Sequence, residues 1–205
     1  MDEKPIAEYK NVERGELLKI YRDENPESPR TRCNIGVMVC WHRMYDLGDK
    51  HGFRTPDDFR EWVKKNKHPV VIPLYLYDHS GISISVNDNY PFNYRWDSMQ
   101  VGYIYATRDA IIKEYGKCGK EEIVKAMGHL MGEVETYNQY LEGDIYGFEL
   151  CKIEVCKTCH AVSEEIIDSC WDFYGDDPLT NGMLEHLVNE KEWKKIIKKD
   201  MGAME

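Results

Sequence analysis

The sequence predicts an α+β fold, a single domain with a mostly antiparallel sheet and three to four packed helices. Three observations predict it. Strand-like and helical runs follow in the order β-α-β-β-β-α-α-β-β-α, without the regular alternation of a doubly wound fold. Two strand-like runs, residues 144–157 and 164–175, are joined by a short Cys-containing turn, as an antiparallel hairpin requires. The chain has 205 residues, enough for one good core and short of the length at which a second domain becomes the rule.

The elements follow from local chemistry. Residues 1–30 form a polar N-terminal segment, with RDENPESPRT (22–31) reading as a loop. NIGVMVCWH (34–42) is a short apolar, β-branched run that reads as a buried strand, and MYDLGDKHGF (44–53) turns on Gly48 and Gly52. Thr55-Pro56-Asp57-Asp58 starts a helix: a capping hydroxyl, a proline at the first helical position and two acids at the positive end of the dipole. Phe59, Trp62 and Val63 are its buried face. Residues 69–80 read as a strand in which Pro73, lacking an N–H, implies an edge or a bulge. ISISV (82–86) and QVGYIYA (100–106) alternate as strands, and Thr107 caps a short helix ending at Gly116. Apolar residues at 123, 127, 130, 134, 137 and 141 predict the longest helix, stopped by Gly143. Beyond the hairpin and the acidic break GDDP (175–178), a last helix from a Thr180 cap to about residue 199 packs on the core. The expected division is therefore 1–30, a core domain over 31–178, and a C-terminal helix within 179–205.

Composition narrows the function classes. There are 27 basic and 37 acidic residues, a net charge of −10, which opposes direct binding of nucleic acid or anionic membrane. No stretch approaches the roughly 18 apolar residues of a spanning helix. The charged N-terminus MDEKPIAEYKNVERGE lacks the apolar core of a signal peptide, so a cytoplasmic location is expected. With that expectation, seven cysteines argue against a disulfide framework.

Several constellations carry chemistry. Cys156 and Cys159, in VCKTCH (155–160), match the C-x-x-C-H of c-type haem attachment, but that attachment belongs to exported proteins and haem is not expected. As a knuckle the pair offers two of the four ligands of a tetrahedral zinc, and the main reading requires no cofactor. CWHRMYDLGDKH (40–51) crowds polar residues behind a buried strand. It reads as a salt-bridge network fixing the loop, or as an anion subsite with Arg43 and Lys50 as donors. An enzymatic reading places His42, Asp78, His79 and Asp97 around one polar pocket as acid–base groups. Asp172, Asp176 and Asp177 form an acidic cluster without the spacing of a calcium loop, and serve as binding acids.

Five stretches, CWHRMYDLGDKH (40–51), LYLYDHSG (74–81), WDSMQVGYIYATRDAIIKEYG (96–116), EVETYNQYLEGDIYGFEL (133–150) and DSCWDFYGDD (168–177), together resemble a family of bacteriophage- and prophage-encoded proteins. The likeness covers roughly residues 30–178 and implies a setting rather than catalytic residues. It implies a phage accessory protein in the bacterial cytoplasm that binds and inhibits a host defence or nucleic-acid-processing protein, of anti-CRISPR or anti-restriction type. The expected partner is a host protein, such as a nuclease, engaged by negative charge. The alternatives are a hydrolase or nucleotide-processing enzyme with a His/Asp pocket, and a zinc-stabilised adaptor. A polar pocket favours the enzyme; a broad acidic face favours the inhibitor.

Overall fold

The computed structural model describes residues 4–66, 69–78, 81–86 and 98–202. In chain order the strands are β1 (Ala7–Asn11), β2 (Glu16–Arg22), β3 (Val37–Cys40), β4 (Val70–Asp78), β5 (Ile82–Ser85), β6 (Ser98–Ala106), β7 (Ile145–Val155) and β8 (Val162–Tyr174). The helices are α1 (Pro56–Asn66), α2 (Arg108–Tyr115), α3 (Lys120–Glu142) and α4 (Glu190–Met201). All strand pairs are antiparallel and lie in two sheets, ordered β1-β2-β7-β8 and β3-β6-β4-β5, so the fold is α+β as expected. Among the described residues no helix is long and apolar enough to cross a membrane. The chain forms two compact units, Met1–Glu27 with Gly143–Glu205, and Ser28–Glu142.

In the unit spanning 28–142, alternation along the strands loads both faces of one sheet. Met38, Leu74, Ile84 and Ile104 pack with Leu130 and Val134 of α3, while Val39 and Tyr105 pack with Phe59 and Trp62 of α1. Each fully buried side chain of this size contributes roughly 1.5–3 kcal/mol. The caps are those the sequence implies. Thr55 Oγ1 accepts the Asp58 N–H at 3.2 Å while Asp58 accepts the Thr55 N–H at 3.0 Å, a reciprocal box. Thr107 accepts the Ala110 N–H at 3.1 Å, and Gly116 ends α2 in the left-handed region. Pro73 lies beyond the last β4 residue paired with β5 and one residue before a bulge at Leu74/Tyr75, where a missing N–H is tolerated. The buried face of α3 runs through Glu122, Ala126, Leu130, Glu133, Val134 and Tyr137. Its first half is turned one residue from the apolar stripe read in the sequence, leaving Met127 exposed.

In the other unit Leu18 and Ile20 of β2, Phe148 and Leu150 of β7 and Phe173 of β8 enclose a core with Met183, Leu184, Trp193 and Ile197. Two expectations are corrected here. The polar N-terminal segment, in which only residues 22–31 read as a loop and no strand was expected, carries β1 and β2: they pair with each other and β2 pairs with β7, because Leu18 and Ile20 alternate onto the buried face. A segment counted as peripheral to the core thus supplies half of a sheet. The last helix is also shorter than expected. Thr180 Oγ1 donates to Asp177 at 3.0 Å instead of capping, Met183–His186 form a 3-10 turn, and Asn189 at φ 66° redirects the chain before α4. Two left-handed residues, Gly182 and Asn189, interrupt what the apolar spacing suggested was one helix. Trp193 and Ile197 then stack one turn apart on the core-facing side of α4.

Candidate functional site

The segment between β3 and α1 folds back on its own strand. Asp49 N–H donates to the Met38 carbonyl at 2.7 Å, and the Gly48 N–H donates to Tyr137 Oη at 2.9 Å. Gly48 has φ 73°, and a Cβ there would come 2.7 Å from the Met38 carbonyl oxygen, so the return demands glycine. Trp41 Nε1 donates to the Phe53 carbonyl at 3.2 Å, tying the two ends of the loop.

Beneath it lies a buried ion network. Arg30 grips Asp49 bidentately, Nε to Oδ1 at 3.0 Å and Nη2 to Oδ2 at 2.6 Å, and reaches Glu133 Oε2 with Nη1 at 2.9 Å. Asp49 also accepts the Met38 N–H, and Glu133 Oε1 accepts the N–H groups of Ile35 and Gly36. The loop is therefore fixed by a salt-bridge network, but its cation is Arg30.

Above this base opens a cleft of about 720 Å³, lined by Cys40, Trp41, His42, Arg43, Tyr45, Asp46 and residues 47 and 49–51. That volume suits a small-molecule ligand. Arg43 and Lys50 both face it; among the described residues neither has an ion-pair partner. His42 Nδ1 accepts the N–H groups of Met44 and Tyr45 at 3.3 and 3.2 Å, so in the neutral ring the proton sits on Nε2. The ring stacks on Tyr45 with centroids 4.9 Å apart, and the Tyr45 hydroxyl donates to Asp78 Oδ1 at 3.4 Å. Burial and the Asp78 carboxylate raise the Tyr45 phenol, which stays protonated at neutral pH. His51 Nε2 lies 2.9 Å from the Cys40 carbonyl. A carbonyl only accepts, so Nε2 carries the proton, and buried Nδ1 is left with an unused lone pair. Burial, and next Asp49, push the Cys40 thiol up to about 12, which makes this wall of the cleft inert as a nucleophile.

Of the residues singled out in the sequence, His42, Arg43 and Lys50 line this one cleft, and Asp78 joins them through Tyr45. His79 and Asp97 lie outside the described residues. The acidic cluster is divided by its roles. Asp177 accepts the Leu179 N–H at 2.9 Å and the Thr180 hydroxyl, shaping a turn. Asp172 sits at φ 71° in a bulge where it and Trp171 oppose Gly147, and Asp176 is exposed. His51 belongs to the polar crowd read over 40–51, but Arg30 and Glu133 were not singled out. Arg30 and Glu133 stand 103 positions apart, and no local pattern links them.

Cys156 and Cys159 are exposed on the tip between β7 and β8. Among the described residues no group of three or more His, Cys, Asp or Glu side chains forms a metal site around them. N–H groups of Cys159 and Thr158 and the Cys159 thiol hydrogen-bond the Cys156 sulfur and lower its pKa to about 7. Alkylation of Cys156 by iodoacetamide is therefore expected to rise with pH to half its plateau near 7, while buried Cys40 stays unmodified in the folded protein. Peptide mass analysis across a pH series checks this; a midpoint in the ordinary thiol range would remove the assigned hydrogen bonds. Comparisons with protein-family models, with curated proteins and with solved structures find no match for this chain.

Proposed function

We propose that the chain binds a nucleotide or a similar phosphorylated small molecule in the cleft between β3 and α1, and processes it hydrolytically. The observation that carries this reading is the pair Arg43 and Lys50, two cations without an ion-pair partner among the described residues, facing one cleft in a protein of net charge −10. Arg43 and Lys50 hold phosphate oxygens. Trp41, His42 and Tyr45 give an aromatic wall on which a base stacks. His42 donates from Nε2, and Asp78, which accepts the Tyr45 hydroxyl at the rim of the cleft, takes a proton from the attacking water. No metal or other cofactor is part of the proposal.

Calorimetric titration with ATP, AMP and inorganic phosphate at about physiological salt tests it. Arg43→Ala and Lys50→Ala are each expected to weaken binding about 10- to 100-fold, the loss of one hydrogen bond to a charged group, with the melting temperature unchanged. Asp78→Asn is expected to keep affinity and to lower turnover about 10²- to 10⁴-fold. Failure of all three ligands to bind at millimolar concentration would end this reading.

A second reading, inhibition of a host nuclease by a phage or prophage accessory protein, draws support from β8. Glu164, Glu165, Asp168, Ile166, Ile167 and Trp171 are exposed on that sheet-edge strand, mixing acid with apolar surface. Affinity capture from a bacterial lysate across a salt series discriminates: a stoichiometric nuclease released as ionic strength rises supports inhibition.

A further inference from the structure

We propose that Cys156 and Cys159 form a reactive dithiol that closes reversibly to a disulfide across the hairpin tip by exchange with a low-molecular-weight or peptide disulfide. The geometry begins with the strands. β7 ends at Val155 and β8 resumes at Val162, and the crossing is closed by Cys156 N–H to the Ala161 carbonyl at 2.9 Å. Within it the His160 N–H donates to the Cys156 carbonyl at 2.9 Å, the spacing of one helical turn, and His160 at φ 56° ends that turn. In such a turn residues three apart are side-by-side neighbours, their Cβ atoms roughly 5–6 Å from one another. A disulfide needs about 3.5–4.5 Å between Cβ atoms, so a small tightening of an exposed turn brings the two sulfurs into bond.

The two cysteines are not equivalent. Cys156 opens the turn, where the backbone N–H groups of a helical start are left free to face the side chain and favour negative charge on it, whereas Cys159 stands at its end, and both residues are exposed. Cys156 is thus the attacking sulfur and Cys159 the resolving one. The Cys156 thiolate attacks one sulfur of the external disulfide, forming a mixed disulfide and releasing one external thiolate. Cys159 then loses its proton to solvent and its sulfur attacks the Cys156 sulfur, expelling the second external thiolate. Two protein thiols are oxidised, one external disulfide is reduced to two thiols, and excess external thiol runs the steps backwards. The exchange is independent of the cleft, whose own thiol, Cys40, is buried.

The test equilibrates the full chain at pH 7 in buffers of graded reduced and oxidised glutathione, followed by acid quench, alkylation and peptide mass mapping, with a metal assay on the purified protein. The expected result is a Cys156–Cys159 disulfide that rises and falls reversibly with the glutathione ratio. Cys159→Ser is expected to accumulate glutathione on Cys156, and Cys156→Ser to accumulate it on Cys159 at least fivefold more slowly, with circular dichroism unchanged in both. Absence of the intramolecular disulfide in fully oxidised glutathione, equal rates in the two variants, or a stoichiometric metal that blocks both thiols would each overturn the proposal.

Discussion

Arg30→Met is expected to destabilise the protein by about 3–5 kcal/mol, the cost of stranding buried carboxylates without their cation. The Arg30 side chain is 5% exposed, and Glu133 and Asp49 are 6% and 21% exposed, so little water can replace the lost partner. Four guanidinium N–H bonds are made, the fourth by Nη2 donating to the Gly36 carbonyl at 2.8 Å. At about 2–4 °C per kcal/mol for a chain of this length, the melting temperature should fall by roughly 6–20 °C. Arg30→Lys keeps the charge and loses the fork, and should fall between wild type and Arg30→Met. Adding Glu133→Leu to Arg30→Met is expected to recover only part of the loss, since the N–H groups of Ile35 and Gly36 then lose their acceptor. Thermal unfolding followed by circular dichroism reads all of these; a shift under about 2 °C for Arg30→Met would show that the network carries no stability. Because Asp49 anchors the cleft loop, the same variant should also weaken ligand binding, although Arg30 does not line the cleft.

What the sequence made legible was local. Thr55, Thr107, Gly116 and Gly143 announce helix ends because capping is decided within one turn of chain, and the β7–β8 hairpin is announced by two strand-like runs around a short turn. β1 and β2 escaped because their polar residues hid a two-residue alternation, and because one of the two partners of β2, β7, lies more than a hundred residues onward. The fixed loop was legible only in kind. The crowd of charges over 40–51 announced a network, but Asp49 turned to Arg30, from a stretch that read as loop, and to no cation beside it. In the same way the sequence placed His42 and Asp78 in one candidate pocket, but not the 33-residue reach from Tyr45 to Asp78 that joins them.

Gly102→Ala is expected to be comparably damaging, and its effect should reach the cleft through the backbone. Gly102 is paired with Cys40 of β3 on one side and Leu74 of β4 on the other. A Cβ at this position would stand 2.1 Å from the Val39 carbonyl oxygen and 2.9 Å from the Cys40 Cα. Both obstacles are main chain, so no rotamer relieves them, and β3 must move by roughly 1 Å. Overpacking alone costs about 1–3 kcal/mol. The shift also strains the hydrogen bond from Trp41 N–H to the Val101 carbonyl at 2.9 Å, adding about 0.5–1.5 kcal/mol for each such bond lost. Cys40, Trp41 and His42 are consecutive, and all three line the cleft, so the displacement of β3 is a displacement of the binding wall. Melting temperature and ligand affinity should therefore fall together in Gly102→Ala, while Arg43→Ala lowers affinity with the melting temperature unchanged. Measuring both quantities in both variants separates the strand that shapes the cleft from the side chain that holds the ligand. A Gly102→Ala protein with wild-type stability would mean that β3 and β6 approach less closely than these distances require.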